Sequence, residues 1–234
     1  GAQEEKEVLV ILMDYGEEHT RNIAIDLNYE RHRYVYRSVK RIFDFVASFF
    51  GLVLLLPVFL IVAIAIKLEE PKGPVFYSQI RLGRQQRPFK MYKFRSMVVN
   101  ADSLRKYLID KNEVDGAMFK IRMDPRVTKV GRFIRKHSID ELPQLLNVLL
   151  GQMSLVGPRP PLPGEVVNYT DYDKQRLFVK PGCTGLWQVT VRNEVGFDEM
   201  VGLDLKYILH RSVLFDLGVL IKTISVFFRP NGAY

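Results

Sequence analysis

Two adjacent acids, Asp140 and Glu141, stand in HSIDELPQLLNVLL (137–150), directly after Arg132, Arg135, Lys136 and His137. Carboxylates crowded by cations suit chemistry on a phosphate. A carboxylate can attack phosphorus only where positive charge offsets the repulsion between two anions, and guanidinium groups and Mg2+ supply that charge in phosphoryl transfer. A helix start is also a natural anion site. The same residues have a structural reading: Ser138 and Glu141 fit an S-x-x-E capping box, and acids favour helix N-termini in any case. KMYKFRSM (90–97) sets Lys93 and Arg95 on one face of a strand, as phosphate ligands or as a solvated basic edge. GPRP (157–160) holds Arg159 in a stiff loop. Proline lowers the entropy lost on fixing a guanidinium, and the guanidinium fork matches phosphate. A plain proline turn explains the same residues, and RPPLP has the form of a polyproline ligand. KPGCTGLWQVTVRN (180–193) combines flexible glycines, the single Trp187 and Arg192. Trp187 and Cys183 read most simply as core residues.

These groups must be carried to a substrate, and charge and hydropathy indicate where. The net charge is +8, but residues 67–136 alone hold 18 basic and 7 acidic groups. Residues 1–40 and 137–234 are each slightly negative. The basic block follows the most apolar stretch, Phe45 to Ile66, which contains no charged residue. As a straight helix this stretch is about 33 Å long, enough to cross a hydrocarbon core. Pro57 at its middle removes a helical hydrogen bond and predicts a kink or break. Basic residues flank both ends: Arg33, Arg37, Lys40 and Arg41 before it, Lys67, Lys72, Arg81 and Arg84 after it. A bitopic segment favours one side for its cations. Two basic flanks therefore leave open a hairpin with both ends on one face and a kinked span. One cysteine excludes an internal disulfide framework and a CxxC metal site, and the four histidines give no HExxH.

The positioning elements follow from periodicity and turn residues. SVKRIFDF (38–45) leads into the apolar run as one helix. EEPKGP (69–74) is a turn cluster. PVFYSQ (74–79) and PFKMYKF (88–94) predict strands, as does GLWQVTV (185–191). Helices are expected over 101–110 and 127–137. Another runs from Asp140 to Leu150, on Leu142, Leu145, Leu146 and Leu149, and ends at Gly151. GPRPPLPG (157–164) can be neither helix nor central strand. Helices are expected again over 197–209 and 212–228, the latter apolar enough to bury or to lie in a membrane interface. VLVILM (8–13) could form a short buried strand.

Taken in order, these segments resemble the bacterial sugar transferase family, the monotopic phosphoglycosyl transferases. The resemblance covers roughly residues 38–234. It rests on KRIFDF (40–45), the run broken at Pro57, GPVFYSQIRLGR (73–84), KMYKFRSM, SIDELPQLLNVLLGQMSLVGPRP (138–160), KPGCTGLWQV (180–189), LDLKY (203–207) and a C-terminal GAY. No one of these is specific; the ordered set is.

The resemblance implies transfer of a sugar-1-phosphate from a UDP-sugar to undecaprenyl phosphate with release of UMP. That step initiates capsule, exopolysaccharide or O-antigen synthesis at the cytoplasmic face of the bacterial inner membrane. It implies Mg2+, Asp140 as nucleophile, Glu141 assisting through metal binding or proton handling, and Lys93, Arg135, Arg159 and Arg192 on the phosphates. Relatives of this topology can form a homodimer. The implied fold is α+β and helix-rich. An N-terminal arm (1–37) precedes a re-entrant membrane helix broken near Pro57 (38–67), in contact with membrane lipid. A catalytic domain (68–234) follows, with a small sheet and interfacial amphipathic helices. The chain departs from the family in three places: Leu56 where Ser usually precedes the proline, Gln152 where GDMS has Asp, and TVR where SGR or NGR follows WQV. A competing reading is a membrane-tethered basic adaptor for anionic lipid or nucleic acid. The glycine and proline turns within 67–136 disfavour it, and no nucleic-acid partner is expected.

Overall fold

The computed structural model describes residues 23–105, 107, 124–190 and 196–228. Helices dominate: α1 Leu27–His32, α2 Tyr34–Leu54, α3 Leu56–Glu69, α4 Ala101–Arg105, α5 Lys129–Lys136, α6 Gln144–Leu149, α7 Pro163–Val166, α8 Asp171–Lys174, α9 Leu186–Thr190, α10 Phe197–His210 and α11 Val213–Phe228. The strands form two small sheets. β1 Phe76–Leu82 and β2 Pro88–Phe94 make an antiparallel hairpin, with Tyr77 opposite Lys93. β3 Ser154–Val156 lies parallel to β4 Gly182–Thr184. The chain is thus α+β and helix-rich. VLVILM and Arg192 lie outside the described residues.

The apolar run forms the end of α2 and most of α3, which bend by 58° at Leu55. Pro57 sits in the first turn of α3, where its missing N–H leaves no helical bond unmade. Among the described residues no single helix is long and apolar enough to cross a membrane; the bent pair taken together has the length and composition of a broken span or a re-entrant loop. Their outward faces carry exposed Phe49, Phe50, Leu54, Leu56, Leu60, Ile61 and Ile64.

The inward faces of both helices are tied to the rest of the molecule. From α2, Arg41 donates to the carbonyls of Val148 and Leu149, at 2.7 and 2.8 Å, closing the C-terminus of α6. The buried Asp44 accepts from the Leu155 N–H at 3.1 Å, and Lys40 pairs with Asp216 on α11 at 2.7 Å. From α3, Val62 and Ile66 are buried in a cluster with Phe94 and Ile134. Glu69 accepts from the backbone N–H of Lys129 and Val130, at 2.7 and 2.9 Å, capping α5. Residues before α2 also belong to the body. Ile25 enters the main core with Val201, Leu205, Ile208 and Phe215, and Arg211 pairs with Glu30.

Three secondary-structure expectations fail. GPRPPLPG ends in helix, because Pro163 and Gly164 open α7 at its first turn, where proline's missing N–H costs nothing. GLWQVTV is helical over Leu186–Thr190 rather than a strand. The Thr190 hydroxyl bonds back to the Leu186 carbonyl at 2.7 Å, and Leu186 is buried in the core with Leu205 and Phe215. Tertiary burial outweighs the β-propensity of Trp, Val and Thr. The helix expected over 140–150 is shorter. A 3-10 turn covers Ile139–Glu141 and α6 begins at Gln144, after Pro143.

Candidate active site

Three local devices bring the charged residues together. Gly131 in α5 packs so closely on the chain two residues past β2 that an added Cβ would stand 1.9 Å from the Ser96 carbonyl oxygen. Only glycine permits that approach, and it lays α5 across the end of the strand carrying Lys93. Arg135, one turn on, donates to the Ser96 hydroxyl at 2.8 Å. The buried Asn147 of α6 clamps the other side of β2. It donates to the Lys90 carbonyl at 2.7 Å and accepts from the Tyr92 N–H at 3.0 Å. Between α5 and α6, Ser138 adopts left-handed backbone at φ 53°, ψ 18°, and its side chain caps nothing. The capping box anticipated for Ser138 and Glu141 does not form. A residue in that conformation cannot present its hydroxyl as an N-cap, which requires extended backbone. The acids are therefore not explained by a capping box.

Asp140 is buried, and Glu141 is held by Lys93 through a 2.6 Å ion pair. Ile139 and Leu142, on either side of the acids, pack against the cluster that Val62 and Ile66 of α3 form with Phe94 and Ile134. The acidic turn thus shares a core cluster with the second half of the apolar arm. Glu141 opens onto a polar cleft lined by Arg81, Lys93, Gln144, Arg159 and Gln188.

The two acids have opposite protonation behaviour. Burial pushes the Asp140 carboxyl up to about 6 from an ordinary 3.8; Lys93 and Arg135 pull it down, and the Glu141 charge pushes it up. For Glu141, burial acts upward too, but the charge and hydrogen bond of Lys93 outweigh it, with Arg159 and Arg81 behind, so its carboxyl lies below the ordinary range. A carboxyl raised toward neutrality beside an acid held below its ordinary range is a common arrangement in sites that do chemistry.

Of the residues singled out from sequence, Asp140, Glu141, Lys93, Arg135 and Arg159 converge here. Arg95, expected on the Lys93 face, instead donates to the Pro74 carbonyl at 2.8 Å. Pro158, Pro160 and Pro161 are buried, which closes RPPLP to a polyproline-binding partner. Arg81 was missed. It is buried on β1, donates twice to the Gln79 side chain and, at 3.0 Å, to the Pro160 carbonyl. Burial and the nearby Arg159 lower it to about 10. Its one sequence signal is the spacing of Gln79 and Arg81 on one face of a strand.

The chain matches the family model described as bacterial sugar transferase over residues 35–230. It is 44% identical over 205 residues to the galactosyl transferase CpsE of Streptococcus agalactiae serotype III, covering 86% of this chain and 45% of the relative. It is 45% identical over 202 residues to the undecaprenyl-phosphate galactose phosphotransferase of Salmonella typhimurium, covering 85% and 42%. It is 39% identical over 199 residues to the exopolysaccharide production protein ExoY of Sinorhizobium fredii, covering 83% and 88%. The chain thus spans less than half the length of the first two relatives and most of the third. The acidic turn, the basic strand, the proline loop and the bent apolar arm all lie within the matched residues, and the chain belongs to the bacterial sugar transferase family.

Proposed function

We propose that this chain transfers a sugar-1-phosphate from a UDP-sugar to undecaprenyl phosphate through a covalent adduct on Asp140. The observation that carries the reading is a buried carboxylate under the charges of Lys93 and Arg135, on a turn that shares a core cluster with the apolar arm. The relatives named for galactose and for undecaprenyl phosphate support the choice of donor and acceptor, and galactose is the first sugar to test.

The reaction consists of two exchanges at one phosphorus. An Asp140 carboxylate oxygen bonds to the phosphorus that bears the sugar. The bond from that phosphorus to the oxygen bridging the two phosphates breaks, and UMP leaves with that oxygen. A phosphate oxygen of the lipid then attacks the same phosphorus, the acyl-phosphate bond breaks, and Asp140 returns as a carboxylate. Splitting one encounter between anions into two is the gain from covalent catalysis. Lys93 and Arg135 screen the approach of Asp140 to a charged phosphate, while Arg159 and Arg81 line the side on which the diphosphate would lie.

Asp140 and Glu141 would hold Mg2+. The ion commonly takes one or two protein carboxylates and completes its shell with substrate phosphate and water. Among the described residues no cluster of three or more His, Cys, Asp or Glu offers a cage without substrate. When bound, the ion supplies positive charge to the diphosphate.

We infer that the bent pair is re-entrant, at the cytoplasmic face of the inner membrane. The body contacts α2 at Arg41 and Asp44, and Gly51 lies against Leu145. It contacts α3 from Phe59 to Glu69. A span would require that one body to lie on both sides of the bilayer or inside it, with its ion pairs in hydrocarbon.

The test is product identity. Protein in detergent or nanodiscs, given Mg2+, UDP-galactose and undecaprenyl phosphate, releases UMP, and Asp140→Asn abolishes turnover. UDP as the leaving product, or wild-type turnover by the variant, refutes the covalent reading.

A further inference from the structure

The loop presenting Arg159 has few donors and many occupied acceptors. Pro158, Pro160 and Pro161 carry no N–H. Nearly every carbonyl from 156 to 161 is held from elsewhere. Val156 accepts from the Tyr207 hydroxyl at 3.1 Å, and Pro158 from the Gly182 N–H at 2.9 Å. Arg159 accepts from Arg176 at 3.3 Å, Pro160 from Arg81 at 3.0 Å, and Pro161 from the Leu82 N–H at 3.0 Å. The donors come from β1, β4, the 3-10 turn after α8 and α10. A chain so wired presents its side chain with little freedom left to lose on binding.

One donor stands apart. The Arg176 guanidinium is buried, and it is paired with Asp204 of α10, which is buried too. It also donates to the Tyr169 hydroxyl at 2.9 Å. The pair is incompletely satisfied, because Arg176 Nε and Asp204 Oδ1 have no hydrogen-bond partner. A buried ion pair left short of partners is a poor source of stability, and apolar residues of similar volume commonly do as well or better. The contact that leads from this pair toward the cleft is the one to the Arg159 carbonyl.

We propose that Asp204, acting through Arg176, is a positioning residue that fixes the backbone of Arg159 and so aims its guanidinium at the substrate diphosphate. This rests on the reading in which Arg159 binds that diphosphate. Asp204 holds the Arg176 fork in one orientation, and the fork holds the loop. Tyr207, three residues on in the same LDLKY segment, holds the loop's entry at Val156. The segment thereby couples α10 to the cleft without touching substrate.

A double-mutant cycle tests it. Asp204→Asn is combined with Arg159→Lys, and each protein is read by its UMP-release rate with UDP-galactose and by UDP affinity. Asp204→Asn lowers kcat/KM about tenfold to a hundredfold in the Arg159 background, and less than twofold further once Arg159 is Lys. UDP affinity follows the same non-additive pattern. A merely structural role costs the same in both backgrounds, and that outcome overturns the proposal. Arg176→Met with Asp204→Leu removes both charges together and leaves neither stranded. This pair keeps the wild-type thermal midpoint within a few degrees but loses activity as Asp204→Asn does; full activity in the pair also overturns the proposal. UDP binding without UMP release refutes the transfer reading instead, and the cycle in UDP affinity still decides the role of Asp204.

Discussion

The raised Asp140 carboxyl implies that the site costs the fold stability, and the cost can be measured. The group titrates at about 6 in the folded chain, against 3.8 ordinarily, chiefly through burial. A carboxyl raised on folding binds its proton more tightly in the native state. Its penalty is therefore absent below about pH 4, grows between there and pH 6, and is full above 6. A shift of this size corresponds to about 2–3 kcal/mol at 1.36 kcal/mol per unit. Asp140→Asn keeps the shape and removes the charge. At pH 8 the variant should be the more stable protein by about that amount, or about 5–10 °C in thermal midpoint for a chain of this size. At pH 4.5 the gap should shrink toward zero. The assay is a melting series of both proteins from pH 4.5 to 8 in EDTA, in one detergent. An equal or lower midpoint for Asp140→Asn at pH 8, or a gap independent of pH, refutes the reasoning. Gain of stability with loss of turnover is the pattern of a residue kept for chemistry rather than for the fold.

The same titration sets the acid limb of turnover: UMP release in wild type should rise with pH through about 6 as Asp140 ionises. Lys93→Met should move that limb to higher pH, since the Lys93 charge is the largest influence lowering Asp140, and should cut the rate at pH 7 at least tenfold; an unmoved limb shows that another group titrates. For topology, Ser38→Cys and Lys72→Cys, both at exposed positions, should label from the same side of sealed vesicles in a Cys183→Ser background. Labelling from opposite sides establishes a kinked span.

Much of this architecture is legible in the sequence where the signal is local. PFKMYKF is a strand over its whole length, the apolar run breaks beside Pro57, and GPRP is an irregular loop. The acids, Lys93, Arg135 and Arg159 can be singled out because their residue types already suggest phosphate chemistry. What stays hidden depends on distant contacts. GLWQVTV has a strand's composition and becomes helix only because Leu186 is buried among α10 and α11 side chains. Ser138 has the spacing of a cap, and its left-handed backbone is set by the turn between α5 and α6. Arg81 and Arg176 act on backbone carbonyls, 79 and 17 residues away. A carbonyl has no residue type, so no pattern of letters marks it as a partner.

The bend and the acidic turn belong to one geometric argument. From Phe45 to Leu54 the first arm is about 15 Å long at 1.5 Å per residue. With both ends on one face, a bend of 58° inclines each arm about 61° from the membrane normal. The vertex then reaches only about 7 Å inward, roughly half of one leaflet of a core about 30 Å thick. A shallow wedge of this kind keeps both arms near the headgroups along their whole length. Because Ile139 and Leu142 pack on the cluster that Val62 and Ile66 of α3 form with Phe94 and Ile134, the re-entrant placement proposed above would hold the Asp140 turn near headgroup height, where the phosphate of a long-chain lipid lies. A straight helix would carry the far end of the apolar run across the bilayer and take Phe59 away from Phe94, whose rings now lie 4.9 Å apart. On the re-entrant reading, the break beside Pro57 would set the height of the chemistry as well as the path of the chain.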